Sequence, residues 1–358
     1  MIRTNATARS GLVALFKPSG MTSNDALQLF KSKVRQVLGS KTKVGHGGTL
    51  DKFATGVLVV GVNDGCKDLS HFLGCNKRYR ALIKLGVETD SLDREGEIVR
   101  IDESKVYATA DLDVIQSSIQ TLKGCIVQTP PRFSALKIQG KRYSDIARSN
   151  PDDNISPPPR QITVHHLSLT RSGALLALQR SLSSSSKLCT SSFSARDKIS
   201  PSIVSPIPTK DGKMAEEFER IEELIKRTSE KRFSVMSVWH DLMERALENG
   251  TVPLWATDQR PLAADEMEIE VECSSGTYVR VLASDLTTSF GSCSHLLGLC
   301  RLQCGDFSLS DCLPPSVWTQ IHTFPDLLSK SLRPSPKLSS STSQKTSRRP
   351  PLFSLPLK

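Results

Sequence analysis

The stretch from Lys43 to Gly61, KVGHGGTLDKFATGVLVVG, constrains the fold more than any other part of the chain. One carboxylate, Asp51, stands among Gly, Thr and apolar residues, with Gly45, Gly47, Gly48 and Gly56 around it and the apolar run Val57 to Val60 after it. Glycines punctuate the chain, and an unbroken apolar run has no polar face to leave in water. The pattern therefore predicts a turn feeding a buried strand. Such a turn can hold its acid at the mouth of a pocket, or it can be an Asx-turn in which Asp51 caps its own loop.

Periodicity extends the reading in both directions. A first strand at Leu12 to Phe16 leads through KPSGMTSNDAL to a helix with Ser23 or Asn24 as N-cap. Leu27, Phe30, Val34 and Val37 form its buried stripe, and Lys31, Lys33 and Arg35 face outward. Gly65 to Leu73 suggests a short helix, Tyr79 to Val87 a strand with Tyr79, Ala81, Ile83 and Leu85 on one face, Asp111 to Leu122 a helix, and Gly124 to Gln128 a strand. Thr129 to Arg160 reads as a long loop with one helical turn at Ser144 to Arg148, and loops of that length are usually functional. Strands at Ile162 to Leu169 and Met267 to Cys273 follow. A helix then buries Val279, Leu282, Ala283 and Leu286, and after Leu296 to Leu299 a Gly-containing hairpin runs from Arg301 to Leu309.

Composition narrows the partners. The 358 residues and 38% hydrophobic content suffice for a sizeable core. The net charge of +10 points to a polyanionic partner, and it is unevenly placed. Seven bases and no acid lie between Ser329 and Lys358, whereas Asp211 to Glu270 carries fifteen acids against eight bases. Nine cysteines without a CxxC pair, and no secretory leader, fit a reducing compartment. Cys293, His295, Cys300 and Cys304 match no zinc spacing and read as ordinary thiols and a histidine. No apolar run approaches the ~18 residues of a membrane span. Arg3 and Arg9 with no acid among the first ten residues faintly suggest a mitochondrial leader, cut short by the strand at Leu12.

The string around Asp51 closely resembles the signature loop of the TruB family of tRNA pseudouridine synthases. Further blocks follow in the family's order: KRYRALIKLGVETDSLDREG from Lys77, PPRFSALKIQGKRYSDIAR from Pro130, PRQITVHHL from Pro159 and SSGTYVRVLASDL from Ser274. The resemblance implies an α+β fold, a mixed, largely antiparallel sheet flanked by helices. It divides the chain into a discontinuous catalytic domain (11–170 and 266–310), an insertion (171–265) and a short helix with a basic Ser/Pro-rich tail (311–358). The insertion is expected to be Ser-rich and disordered around Ser181 to Pro208, with helices at Met214 to Arg232 and Val235 to Leu247, and to point away from RNA because it is acidic.

By the same resemblance Asp51 is catalytic, as nucleophile or as base on the ribose, and Arg280 is the cation that keeps a sheltered carboxylate ionised. Tyr79 would stack on the uracil and accept or relay its C5 proton. Tyr278 and Leu299 would complete the apolar pocket. His46 would fill the space left by the flipped nucleotide. Residues 130–148 match a thumb that closes over RNA. The expected reaction turns uridine 55 of the tRNA T-loop into pseudouridine without metal or organic cofactor. The expected partners are the T-loop and T-stem of tRNA, with T-loop-like hairpins in mRNA as a further class, and neither a membrane nor an obligatory protein partner, the chain acting as a monomer in nucleus, cytoplasm or mitochondrion. Lys52 stands where the family often has Pro and Cys300 where bacterial members often have Arg, and the further RNA-binding domain called PUA is expected to be missing. A non-catalytic RNA chaperone and a guide-RNA-directed synthase are the rival readings.

Overall fold

The unbroken apolar runs become strands buried on both faces, as their composition requires. In a computed structural model, residues 10–134, 136–138, 141–143, 157–173, 262–315, 318 and 332–333 are described. β1 (Gly11–Lys17) and β3 (Thr55–Val62) are buried along their whole length and pair antiparallel, Leu15 opposite Leu58. Alternation sends their side chains to two layers. Val13, Leu15, Leu58 and Val60 pack with Ala26, Phe30 and Val34 of α1 (Ser23–Leu38), while Leu12, Ala14, Val57 and Val59 pack with Leu69 and Phe72 of α2 (Leu69–Gly74). The N-cap of α1 is Thr22, not Ser23 or Asn24: Thr22 and Asp25 form a reciprocal capping box, and Ser23 is thereby free for another task.

The second half of the sheet comprises β4 (Lys77–Leu85), β7 (Gly124–Gln128), β10 (Arg160–Ser172), β11 (Glu266–Cys273) and β12 (Ser294–Cys304). The ten-stranded order also takes in the outer strand β14 (Cys312–Leu313) and runs β14-β1-β3-β12-β4-β11-β10-β7. β2 (Val44–His46) pairs with β3 and β13 (Phe307–Ser308) with β12, while β5 (Val87–Thr89) and β6 (Ile98–Ile101) form a separate pair ahead of the single-turn α3 (Val106–Thr109). Among the described residues β1–β14 and β3–β12 are the parallel strand pairs, so the sheet is mixed and largely antiparallel as expected. One face carries the largest apolar cluster, in which Tyr79, Ala81, Ile83 and Leu85 of β4 meet Ile115 and Ile119 of α4 (Leu112–Thr121). Val279, Leu282, Ala283 and Leu286 of α5 (Val279–Thr288) close the layer. The opposite face of β4 and β11 is ionic: Arg78 and Arg80 meet Glu270, and Arg171 of β10 donates to the fully buried Glu268 at 2.8 Å. Three acids counted with the acidic 211–270 segment, Glu266, Glu268 and Glu270, therefore belong to β11.

The two halves meet where β3 and β12 run side by side. Gly56 (φ +108°) lies against Arg301, and a Cβ there would fall 2.3 Å from the Arg301 carbonyl, so only glycine lets the strands close. The expected boundary at 310 falls short of the folded unit. β14 extends the sheet, Trp318 and Leu332 are buried with α1, and Arg333 exchanges backbone hydrogen bonds with Leu12 at 2.8 and 3.0 Å. The expected helical turn at 144–148 and the expected insertion helices lie outside the described residues, whereas β8 (Lys137–Ile138) and β9 (Lys141–Arg142) form a short hairpin in the thumb segment. Among the described residues no helix is long and apolar enough to cross a membrane.

Candidate active site

Asp51 sits on the loop between β2 and β3, and the segment from Lys17 to Ser23 ties that loop down from behind. Ser23 Oγ donates to the Leu50 carbonyl (3.1 Å) and accepts the Leu50 N–H (2.8 Å). Ser19 Oγ donates to the Phe53 carbonyl at 2.8 Å, and the Gly20 N–H to that of Lys52 at 2.9 Å. Lys17, fully buried, donates to the carbonyls of Pro18, Met21 and Lys52. Burial pushes its ammonium down to about 7, opposed by the charge of Asp51. The three carbonyls around Nζ also favour the charged form.

The Asp51 carboxylate does not turn back onto its own loop, which removes the Asx-turn alternative. The Ala54 N–H donates to the backbone carbonyl of Asp51 at 3.2 Å, while Oδ2 lies 3.0 Å from Arg280 Nε and Oδ1 3.4 Å from Nη2. The Asp51 side chain is 37% exposed and that of Arg280 only 4%, so the acid opens onto the surface with the cation behind it. Arg280, in the first turn of α5, also pairs with Asp93 (Nη1 to Oδ2, 3.3 Å) and donates to the carbonyls of Ser91 and Phe133. Asp93 is in turn held by Ser91 Oγ (2.7 Å) and the Glu95 N–H (3.0 Å). Contacts to two carboxylates and two carbonyls fix the guanidinium plane. Sequence reasoning passed over Asp93, although an acid inside the block TDSLDREG had to be neutralised if buried.

Tyr79 and Leu299, on the adjacent strands β4 and β12, share one apolar cluster with Leu50, the neighbour of Asp51, and with Phe53 and Val279. Burial pushes the Tyr79 phenol up to about 12, against the charge and hydrogen bond of Arg301. A phenol that keeps its proton so firmly is a stacking surface, and it accepts a proton only after losing its own. Arg301, 1% exposed, is the second group that sequence reasoning missed. Its Nε donates to the Val57 carbonyl at 2.7 Å, and Nη2 and Nη1 to those of Gly48 (3.2 Å) and Thr49 (3.4 Å). The same cation thus holds the Asp51 loop and touches Tyr79.

His46 ends β2 within reach of the charge of that cation. Gly47 beside it packs on α2 so tightly that a Cβ would lie 2.7 Å from Phe72 Cβ. Burial first, and Arg301 second, lower its imidazole from the ordinary 6.5, so the ring is neutral at neutral pH. Its Nδ1 is buried without a hydrogen-bond partner among the described residues. Tyr278, just before Val279 and Arg280, has partners of its own. Its backbone is gripped by the buried Gln128 (Tyr278 N–H to Oε1, 2.8 Å; Nε2 to the Tyr278 carbonyl, 3.1 Å), and its ring lies under the Arg160 guanidinium, 4.7 Å from the centroid.

The chain is similar to several known proteins. The family described as TruB family pseudouridylate synthase (N terminal domain) matches residues 35–184. The tRNA pseudouridine synthase B of Corynebacterium efficiens is 31% identical over 305 residues, covering 85% of this chain and 70% of that protein. The protein of the same name from Corynebacterium glutamicum (strain R) is 31% identical over 313 residues, covering 87% and 73%. A chain in the crystal structure of a Cbf5-Nop10-Gar1 complex aligns with a TM-score of 0.48 at 16% identity, and the present chain spans 60% of it. With nearly a third of its residues shared across more than two thirds of those synthases, the chain belongs to the TruB family of pseudouridine synthases.

Proposed function

We propose that this chain isomerises uridine to pseudouridine in tRNA, with Asp51 as the acting carboxylate and uridine 55 of the T-loop as its target. The observation that carries the reading is the Asp51–Arg280 contact: a partly open carboxylate backed by a buried, fourfold-held guanidinium. The reaction breaks the N1–C1′ bond, turns the base and forms C5–C1′, with no net redox change. It therefore needs an ionised carboxylate near the sugar and a pocket that keeps water from the detached base. Tyr79 and Leu299 supply the apolar floor, and the protonated phenol stacks on the uracil. His46, neutral and half-buried, offers a ring to stack on the bases beside the extruded nucleotide. The carbonyl of Phe133 ties the base of the thumb segment to Arg280, which couples thumb position to the site.

The names of its relatives and the basic balance of the chain support tRNA as substrate, and T-loop-like hairpins in mRNA present the same local shape. In this reading the chain acts as a monomer without an obligatory partner. Purified protein should convert a T-loop transcript unaided, and Asp51→Asn should lower the rate at least about 10³-fold while Kd for the transcript stays within about threefold. An unchanged rate would reject Asp51, and absence of conversion by the wild-type chain with tight binding retained would favour the RNA-chaperone reading.

A further inference from the structure

Behind the proposed site, the cluster that packs on α2 contains a feature the isomerisation does not use. Cys75 follows the last turn of α2, Cys304 ends β12, and their Sγ atoms lie 3.8 Å apart although 229 residues separate them. Cys75 is half-buried and Cys304 fully buried. The sheet holds them together. Lys77 and Cys304 are paired in the β4–β12 register, and the Gly305 N–H donates to the Asn76 carbonyl at 3.2 Å. Cys75 Sγ sits over Gly305, where a Cβ would lie only 3.3 Å away.

The two thiols are chemically unequal. Lys77 Nζ donates to the carbonyls of Phe72 (2.7 Å), Leu73 (3.0 Å) and Cys75 (2.7 Å), which places a buried ammonium at the end of α2. The hydrogen bond from Cys304 holds the Cys75 thiol down, to about 6, with Lys77 and His71 adding and burial opposing. That bond and burial together drive Cys304 up, so it keeps its proton. A partly exposed thiolate against a buried thiol is the pairing of an attacking with a resolving cysteine.

We propose that Cys75 and Cys304 are a redox-modification site, at which peroxide oxidises Cys75 and Cys304 closes a reversible disulfide. The Cys75 thiolate attacks one peroxide oxygen, the O–O bond breaks and hydroxide leaves, so the sulfur becomes a sulfenic acid as the peroxide is reduced by two electrons. The Cys304 sulfur then attacks Cys75, the S–O bond breaks, and the hydroxyl departs with the Cys304 proton as water. Closure shortens the gap from 3.8 Å to about 2.05 Å. Cys75 can move that far because it lies at the end of a helix of only six residues. The bond would anchor α2, whose Leu69 and Phe72 back Gly45 and Gly47 beside His46.

The test treats the full-length chain with hydrogen peroxide, blocks remaining thiols with N-ethylmaleimide and maps tryptic peptides. Peptide 68–77 should be linked to peptide 302–330, with fragment ions placing the bond on Cys304 and not on Cys312 in the same peptide. The number of free thiols should fall by two and return with dithiothreitol. Cys304→Ser should stop at a Cys75 sulfenic acid that dimedone traps, and Cys75→Ser should form no link. Cys125, the exposed thiol among the described residues, is the internal reference, and Cys75 should react at least about tenfold faster. Equal reactivity of Cys75 and Cys125, a bond to another cysteine, or a sulfenic acid that never becomes a disulfide in the wild-type chain would overturn the assignment. The wild-type map decides the matter even if a variant folds poorly.

Discussion

At the scale of single residues, the pairing of Asp51 with Arg280 was expected from the resemblance of their two segments to one family, and the side chains lie 3.0 Å apart. Arg301 was not expected. One arginine next to Cys300 in an apolar strand looks like a surface base, and only the parallel pairing of β12 with β3 shows that it points inward at three carbonyls. Its removal should act on several neighbours at once. Arg301→Met strands the carbonyls of Val57, Gly48 and Thr49, and should destabilise the fold by roughly 2–4 kcal/mol in urea unfolding. It also removes the second of the two influences that lower His46, so that imidazole should titrate closer to 6.5 in the variant, as read by NMR. The sign for the wild-type chain follows from linkage. The unfolded chain takes up a proton on His46 near 6.5 and the folded chain only below it, so stability is full above 6.5 and declines as pH falls toward the lowered folded value. A His46 resonance that titrates identically in both proteins would show that Arg301 does not reach it.

At the scale of elements, α1, β4, α4 and α5 were readable from their period, since each buries a stripe that the sequence spells out. What the strap from Lys17 to Ser23 does was not readable, because its hydrogen bonds run to a loop some thirty residues later. The shift of the cap by one residue separates two roles that sequence merged. Thr22 caps the helix, and Ser23, 1% exposed, holds Leu50 beside Asp51. The two serve as a matched pair. Thr22→Ala should cost about 1 kcal/mol of stability with kcat unchanged. Ser23→Ala leaves a buried N–H and carbonyl unpaired, so it should cost about 2 kcal/mol and lower kcat, with KM nearly constant, as the Asp51 loop loosens. Equal kcat for both variants in single-turnover assays would mean that the strap supports the fold but does not position the acid.

At the scale of the whole molecule, the continuation of the sheet past residue 310 was the least legible feature, because it depends on strand neighbours that no local pattern records. The stretch after Ser329 reads as one basic tail, yet Arg333 pairs with the backbone of Leu12, its guanidinium meets Asp311 and lies 4.6 Å from the Phe307 ring centroid, and Leu332 is buried with α1. Its charge is therefore partly committed to the fold. The remaining bases, Lys337, Lys345, Arg348, Arg349 and Lys358 among them, are the ones that phosphate binding can draw on. Two truncations separate clamp from charge. Ending the chain after residue 336 should leave Tm unchanged, raise KM for a tRNA transcript and flatten its salt dependence, by about 0.7–0.9 in the log–log slope for each phosphate that is no longer neutralised. Ending it after residue 328 removes the clamp as well. That variant should also lose roughly 2–4 kcal/mol, the sum of the buried Leu332 and of the backbone hydrogen bonds between Arg333 and Leu12. If the first truncation has the salt response of the full chain, the basic residues beyond 336 do not touch RNA. If the second is as stable as the first, the pairing of Leu12 with Arg333 contributes nothing to the fold.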